Sequence, residues 1–123
     1  MIRGGVSAQL EPRIALEFLD AVDNALLLDV EIDTAFAGFI ALPSDVIAHL
    51  NLPFLNDTLV ELADGSKFNR PCYLARVNWN GNVRTVRALE MGTNPLIGIN
   101  FFWGHRLTID VLVGGDVTVE PLP

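Results

Sequence analysis

Alternation of apolar and polar positions is the dominant signal along this chain. Residues 14–19 (I-A-L-E-F-L) and 26–32 (L-L-L-D-V-E-I) read as strands, the second with Asp29 and Glu31 facing opposite to Leu28, Val30 and Ile32. The A-V-D-N-A segment between them supplies a hairpin turn. Phe39 to Leu42 is a short apolar strand. Pro43 and Ser44 then open P-S-D-V-I-A-H-L, where Ser44 is placed to cap a short helix with Val46, Ile47 and Leu50 on its buried side. That helix ends near Asn51, ahead of Pro53.

Leu59 to Leu62 reads as the next strand, and A-D-G-S at 63–66 as a tight turn in which Gly65 supplies a positive φ. Pro71 calls for an edge position or a strand start, because it cannot donate to a ladder. Tyr73 to Trp79 and Val83 to Leu89 are joined by Asn80-Gly81, the strongest hairpin signal present. Asn94-Pro95 is a break, and Leu96-Ile97 is a short buried strand ended by Gly98. Ile99 to Trp103 suits one helical turn. Leu107 to Val113, Gly114-Gly115 and Val117 to Val119 predict a last hairpin.

These elements are mostly strands, and none is followed by the long helix that a parallel crossover needs. The expected fold is all-β: a small closed or partly closed barrel with one or two short helices. At 123 residues the chain is one domain by length. Residues 1–12 (M-I-R-G-G-V-S-A-Q-L-E-P) are loosely patterned and are expected to form an N-terminal arm ahead of a single domain over 13–123.

Composition narrows the function classes. Half the residues are hydrophobic and 19% are charged, which suits a folded core. A net charge of -7 disfavours nucleic acid as a partner, since phosphate backbones recruit cations. The charge is uneven: 11 acids and only Arg3 and Arg13 precede residue 65, whereas six of the eight bases follow it. No 18-residue apolar run predicts a membrane span, and the first residues do not read as a signal peptide. The lone Cys72 offers no intrachain disulfide, so a cytoplasmic setting is expected.

Motifs for other chemistries are missing. There is no G-x-S-x-G elbow, phosphate loop, G-x-G-x-x-G or H-E-x-x-H, and His49 and His105 lie far apart in sequence. No cofactor is expected. Phe101, Phe102 and Trp103 read as core or subunit-contact residues. What stands out is Asp33, which ends a strand and runs straight into Thr34, Ala35 and a largely apolar stretch. A carboxylate there is either a turn cap beside the core or a reactive group in a partly apolar cleft.

Several pieces occur in a recognisable order: Ile32-Asp33-Thr34-Ala35-Phe36, Phe39-Ile40-Ala41-Leu42-Pro43, Leu62-Ala63-Asp64-Gly65-Ser66, Leu96-Ile97-Gly98 and Leu107-Thr108-Ile109-Asp110. The set resembles the retropepsin-like (clan AA) aspartic proteases, in their small single-domain prokaryotic form, from about Ile14 to Glu120. The resemblance implies that Asp33 is the catalytic aspartate and that the Thr34 hydroxyl reaches across a subunit interface. It implies that Ala63, Asp64, Gly65 and Ser66 form the tip of a flap over bound peptide. Leu96, Ile97 and Gly98 match the segment that packs against the catalytic loop, and Asp110 matches a strand-end position. Ala35 departs from the family's usual glycine by one methyl.

Peptide hydrolysis by water needs one carboxylate to take a proton and one carboxylic acid to give one. Two close aspartates share a single proton, because both cannot ionise cheaply. The chain holds one D-T-A triplet and no second such triplet. If it is a protease, it is therefore expected to be a homodimer that cleaves an extended peptide, each subunit contributing one Asp33. Two other readings stay open: an inactive peptide-binding or assembly module of the same fold, and a small barrel whose likeness to the family stops at the fold.

Overall fold

A computed structural model describes all of residues 1–123. Its strands are β1 (Ile2–Val6), β2 (Pro12–Leu19), β3 (Ala25–Asp33), β4 (Ile40–Leu42), β5 (Phe54–Glu61), β6 (Lys67–Trp79), β7 (Asn82–Glu90), β8 (Leu96–Gly98), β9 (His105–Ile109) and β10 (Asp116–Pro121). One helix, α1 (Ser44–Leu50), follows β4, and a 3-10 turn (Ile99–Phe102) follows β8. Hydrogen bonding runs in the order β6-β7-β4-β8-β3-β2, and β2 pairs back onto β6. The expected small barrel is closed, with six strands.

Closure depends on β2 changing neighbours along one edge. Gly5 and Val6 of β1 pair with its start at Arg13 and Pro12, while Glu17, Phe18 and Leu19 pair with Asn78, Val77 and Arg76 of β6. Beyond β1 the sheet continues through β10 to β9. On the other side, β5 hairpins onto β6.

The alternation read from the sequence places the core. Ile14, Leu16 and Phe18 of β2 point inward with Val30 and Ile32 of β3, Ala75, Val77 and Trp79 of β6, and Val86 and Ala88 of β7. A one-residue slip of β2 would turn all three of its core side chains to solvent, at about 1.5–3 kcal/mol each. The register is therefore strongly determined. Phe101 and Phe102 join this core, whereas Trp103 is 88% exposed.

Several local expectations needed correcting. The segment expected as an arm carries β1, whose residues Ile2 to Gly5 pair with Val119 to Asp116 of β10. Its glycines leave little side-chain pattern, yet a Cβ at Gly4 would collide with the Arg13 carbonyl of β2. Ser44 does not cap α1; Pro43 occupies the cap position and its carbonyl accepts from Val46 and Ile47 N–H. Asn51 ends the helix as expected, in the left-handed region at φ 50°.

Strand β5 begins at Phe54, well before Leu59. Its first residues (F-L-N-D-T) do not alternate and are held by pairing to β6. Pro71 lies inside β6 but just ahead of the first β7 partner, Cys72, so its missing N–H falls where β6 has one free side. Strand β9 stops at Ile109 instead of Val113. The Asp110 N–H closes the hairpin on the Asp116 carbonyl at 2.9 Å, leaving Val111 to Val113 in an exposed loop.

Candidate active site

Strand β8 lies between β3, to which it is parallel, and β4, to which it is antiparallel. Glu31, Ile32 and Asp33 stand opposite Leu96, Ile97 and Gly98. The sequence-predicted support segment and the aspartate are thus brought side by side. Ile97 is fully buried beneath them.

Asp33 is half-buried at the end of β3, and the chain turns immediately after it. The Ala35 N–H donates to Asp33 Oδ1 at 3.0 Å, and the Phe36 N–H donates to the Asp33 carbonyl at 3.1 Å. This is the local side-chain-to-backbone turn that aspartate favours. It orients one carboxylate oxygen and leaves the other without a partner in the chain. Thr34 and Ala35 are exposed on the turn. Ala35 is not among the residues with positive φ, so its methyl causes no backbone strain.

The loop from Phe36 to Phe39 is tied down from below. Ile99 N–H donates to the Phe36 carbonyl at 2.9 Å, Asn100 N–H to Gly38 at 3.2 Å, and Gly98 N–H to Phe39 at 2.8 Å. The Asn100 side-chain Nδ2 adds a bond to the Ala37 carbonyl at 2.8 Å. The close approach requires glycine at position 98: a Cβ there would stand 2.7 Å from the Phe36 carbonyl oxygen and closer still to that of Gly38.

Above this loop a cleft of about 330 Å³ opens between Phe36–Ile40 and the Thr58–Glu61 stretch of β5. Cys72, Arg87 and Leu89 of β6 and β7 complete its walls with Asn100. Leu59, 62% exposed, and the half-buried Phe36 give it apolar sides. Asp33 itself does not line the cleft but sits three residues from Phe36. Ala63 to Ser66 form the tip of the β5–β6 hairpin, closed by Leu62 N–H to the Ser66 carbonyl at 2.8 Å and Gly65 N–H to Leu62 at 2.9 Å. These tip residues do not line the cleft either; the hairpin contributes through β5.

A barrel closed around a strand wedged beside an aspartate-bearing turn, with a hairpin over an apolar cleft, has a counterpart among solved structures. The chain is similar to the EIAV protease complexed with the inhibitor HBY-793, with a TM-score of 0.55 and 14% identity, over 78% of this chain and 88% of that one. Its fold is retroviral aspartic-protease-like. No family model and no curated protein sequence matches the chain.

Within this protease-like barrel, other carboxyl groups crowd the Asp33 strand. Glu31 lies two residues before Asp33, on the same face of β3. Burial pushes the Glu31 carboxyl up, and the neighbouring Glu11 and the charge of Asp33 push it further, against the pull of Arg13. Arg13 is held by Asp29, Nε to Oδ2 at 2.6 Å, and by Glu11 at 3.3 Å. At the hairpin tip, Asp64 Oδ1 accepts from Ser66 Oγ at 2.6 Å and Ser66 N–H at 2.9 Å, which holds the Asp64 carboxyl below its usual range.

Sequence reasoning missed most of the cleft. Asn100, Leu59, Cys72 and Arg87 carry no local motif that marks them as site residues. Only Asn100, two residues after Gly98, sat near a segment already singled out. Nowhere do three His, Cys, Asp or Glu side chains gather as metal ligands would. No helix is long and apolar enough to cross a membrane.

Proposed function

We propose that this chain is one half of a homodimeric aspartic endopeptidase. The observation that carries this reading is the oriented Asp33 carboxylate on an exposed turn, beside an apolar cleft under a hairpin, in a retroviral-protease-like fold. The Asp33 of each subunit would face its counterpart across a two-fold axis and hold one water between them. One carboxylate takes the water's proton as the water attacks the peptide carbonyl carbon. The other, protonated, donates to the carbonyl oxygen. As the C–N bond breaks, the first passes the water's proton to the leaving nitrogen and the second takes its proton back from the gem-diol, restoring one proton between the pair.

Thr34 and Ala35, exposed in a single chain, would be covered by the second subunit, with the Thr34 hydroxyl bridging the two turns. The substrate is an extended peptide held by backbone pairing beneath the β5–β6 flap, its side chains read by the apolar cleft. Leu96, Ile97 and Gly98 support the turn from within, and Ala63 to Ser66 close over the peptide. The chemistry requires neither metal nor organic cofactor. We assign the activity to the cytoplasm, on the strength of the unpaired Cys72.

The test is an unbiased peptide-library digest from about pH 4 to 7, a range spanning carboxyl titration, run beside Asp33→Asn. Wild type should cleave with a bell-shaped pH profile belonging to the pair, sediment at twice the chain mass, and lose essentially all turnover in Asp33→Asn. Cleavage retained in that variant, or cleavage by a strict monomer, would sink the proposal. Peptide affinity without any cleavage would instead support an inactive binding module of the same fold, with Ala35→Gly the substitution to try first.

A further inference from the structure

His105 sits at the start of β9 between two tryptophans. The Trp79 indole Nε1–H lies 3.2 Å from His105 Nε2, and His105 Nδ1 lies 2.9 Å from the Trp103 carbonyl oxygen. Because an indole only donates and a carbonyl only accepts, both contacts are satisfied by one state alone. That state is the neutral imidazole protonated at Nδ1. The ring is half-buried, so solvent protons reach it, whereas Trp79 is 4% exposed and has no other partner for its N–H.

Trp79 also supports the floor of the candidate site. Its ring packs edge-on against Phe101 at 4.8 Å and Phe102 at 6.2 Å. Both belong to the 3-10 turn whose Ile99 and Asn100 N–H groups hold the Phe36 and Gly38 carbonyls behind Asp33. A continuous set of contacts therefore joins the His105 ring to the aspartate loop.

The charges around this ring come from three elements. Arg84 of β7 lies 4.2 Å over the Phe101 ring and donates from Nη1 to the Phe101 carbonyl at 3.1 Å. Arg106 of β9 is paired with Glu120 of β10 at 3.7 Å. The 3-10 turn and residues 77–82 of the β6–β7 hairpin contribute none. No carboxylate contacts the imidazole to stabilise its charged form.

We propose that His105 is a pH-sensitive latch: its neutral ring locks Trp79 and the 3-10 turn that braces the Asp33 loop, and a proton gained at Nε2 opens it. The incoming proton sets two N–H donors against each other, so the Trp79 bond breaks and the indole loses its partner. The Phe101–Phe102 turn then loosens, and with it the hold on Phe36 to Gly38. This latch does not depend on the protein being a protease.

Trp103→Phe leaves Trp79 as the sole tryptophan for emission measurements, from roughly pH 8 to 5, the histidine range. Emission should change with one midpoint, matching those of the His105 ring proton and the Trp79 indole N–H by NMR. Amide protection factors at Ile99 and Asn100 should fall roughly tenfold at the acid end, the scale of one hydrogen bond lost. His105→Gln keeps an acceptor but cannot be protonated there, and should abolish both transitions; His49→Gln, on α1, should leave both intact. Protection that is equal in wild type and His105→Gln at both pH values would overturn the latch, as would a transition lost in His49→Gln. Should His105→Gln not fold, the wild-type NMR titration decides alone: coincident midpoints for imidazole and indole support the latch, and separate ones overturn it.

Discussion

Asp33 and Gly98 are register partners across the parallel β3–β8 pair, and the glycine is there because no side chain fits. Its Cα faces the carbonyl oxygens of Phe36 and Gly38, which the Asp33 turn sends back over β8. The aspartate's position and the bare backbone beside it are two sides of one packing contact.

Gly98→Ala should therefore destabilise the fold by about 1–3 kcal/mol through overpacking against backbone that cannot swing aside. Gly5→Ala is the control, because a Cβ there meets only the Gly115 carbonyl oxygen at 3.7 Å. Denaturant unfolding of both variants checks this. Equal stability for the two would show that the loop behind Asp33 yields easily.

Glu31 predicts a pH dependence of stability. Its folded pKa is raised, first by burial and then by Glu11 and Asp33, so its contribution is full below the unfolded value of about 4.3. That contribution is lost as pH rises through the folded value. Unfolding measured across this window should show wild type losing stability relative to Glu31→Gln as pH increases. A constant difference between the two would remove the argument.

Asp64 gives the opposite sign at the hairpin tip. Its folded pKa is lowered, chiefly by the Ser66 hydroxyl, so the ordering it provides is present above the unfolded value of about 3.9. It is lost as pH falls through the folded value. Amide exchange at Ser66 and Gly65 should quicken in Asp64→Ala at neutral pH, with no change in the barrel strands. If the hairpin is the proposed flap, the same amides in wild type should gain protection when a statine-type peptide is added.

Cys72 is the sole cysteine, 1% exposed, and forms part of the cleft wall. A small methanethiosulfonate should label it slowly in the free protein, limited by opening of β5 over the cleft. If peptide binds in this cleft as proposed, it should slow labelling further, whether or not it is cleaved. Labelling that ignores saturating peptide would place the peptide elsewhere on the molecule.

The outcome of the sequence reading follows from what each signal depends on. Asn80-Gly81 was legible because a two-residue turn needs left-handed backbone at both positions, and they adopt φ values of 50° and 82°. Ile14, Leu16 and Phe18 were legible because alternate burial writes itself into alternate residues. The Asp33 turn was legible in part, since an aspartate side chain closes such turns by accepting from the backbone N–H two residues on.

Tertiary structure alone decided the rest. The I-R-G-G-V of β1 has too few side chains to show a pattern; β2 and β10 make it a strand, and Gly4 is required by the closeness of Arg13. The first half of β5 is exposed on both faces, without alternation, and exists through its ladder to β6. The cleft joins Phe36, Leu59, Cys72 and Arg87 from four separate stretches of chain. Local preference is set by neighbours in sequence, so it determined where strands and turns could form. Which of them share a wall depends on how the barrel closes, a non-local pairing of β2 with β6 that no short window of residues contains.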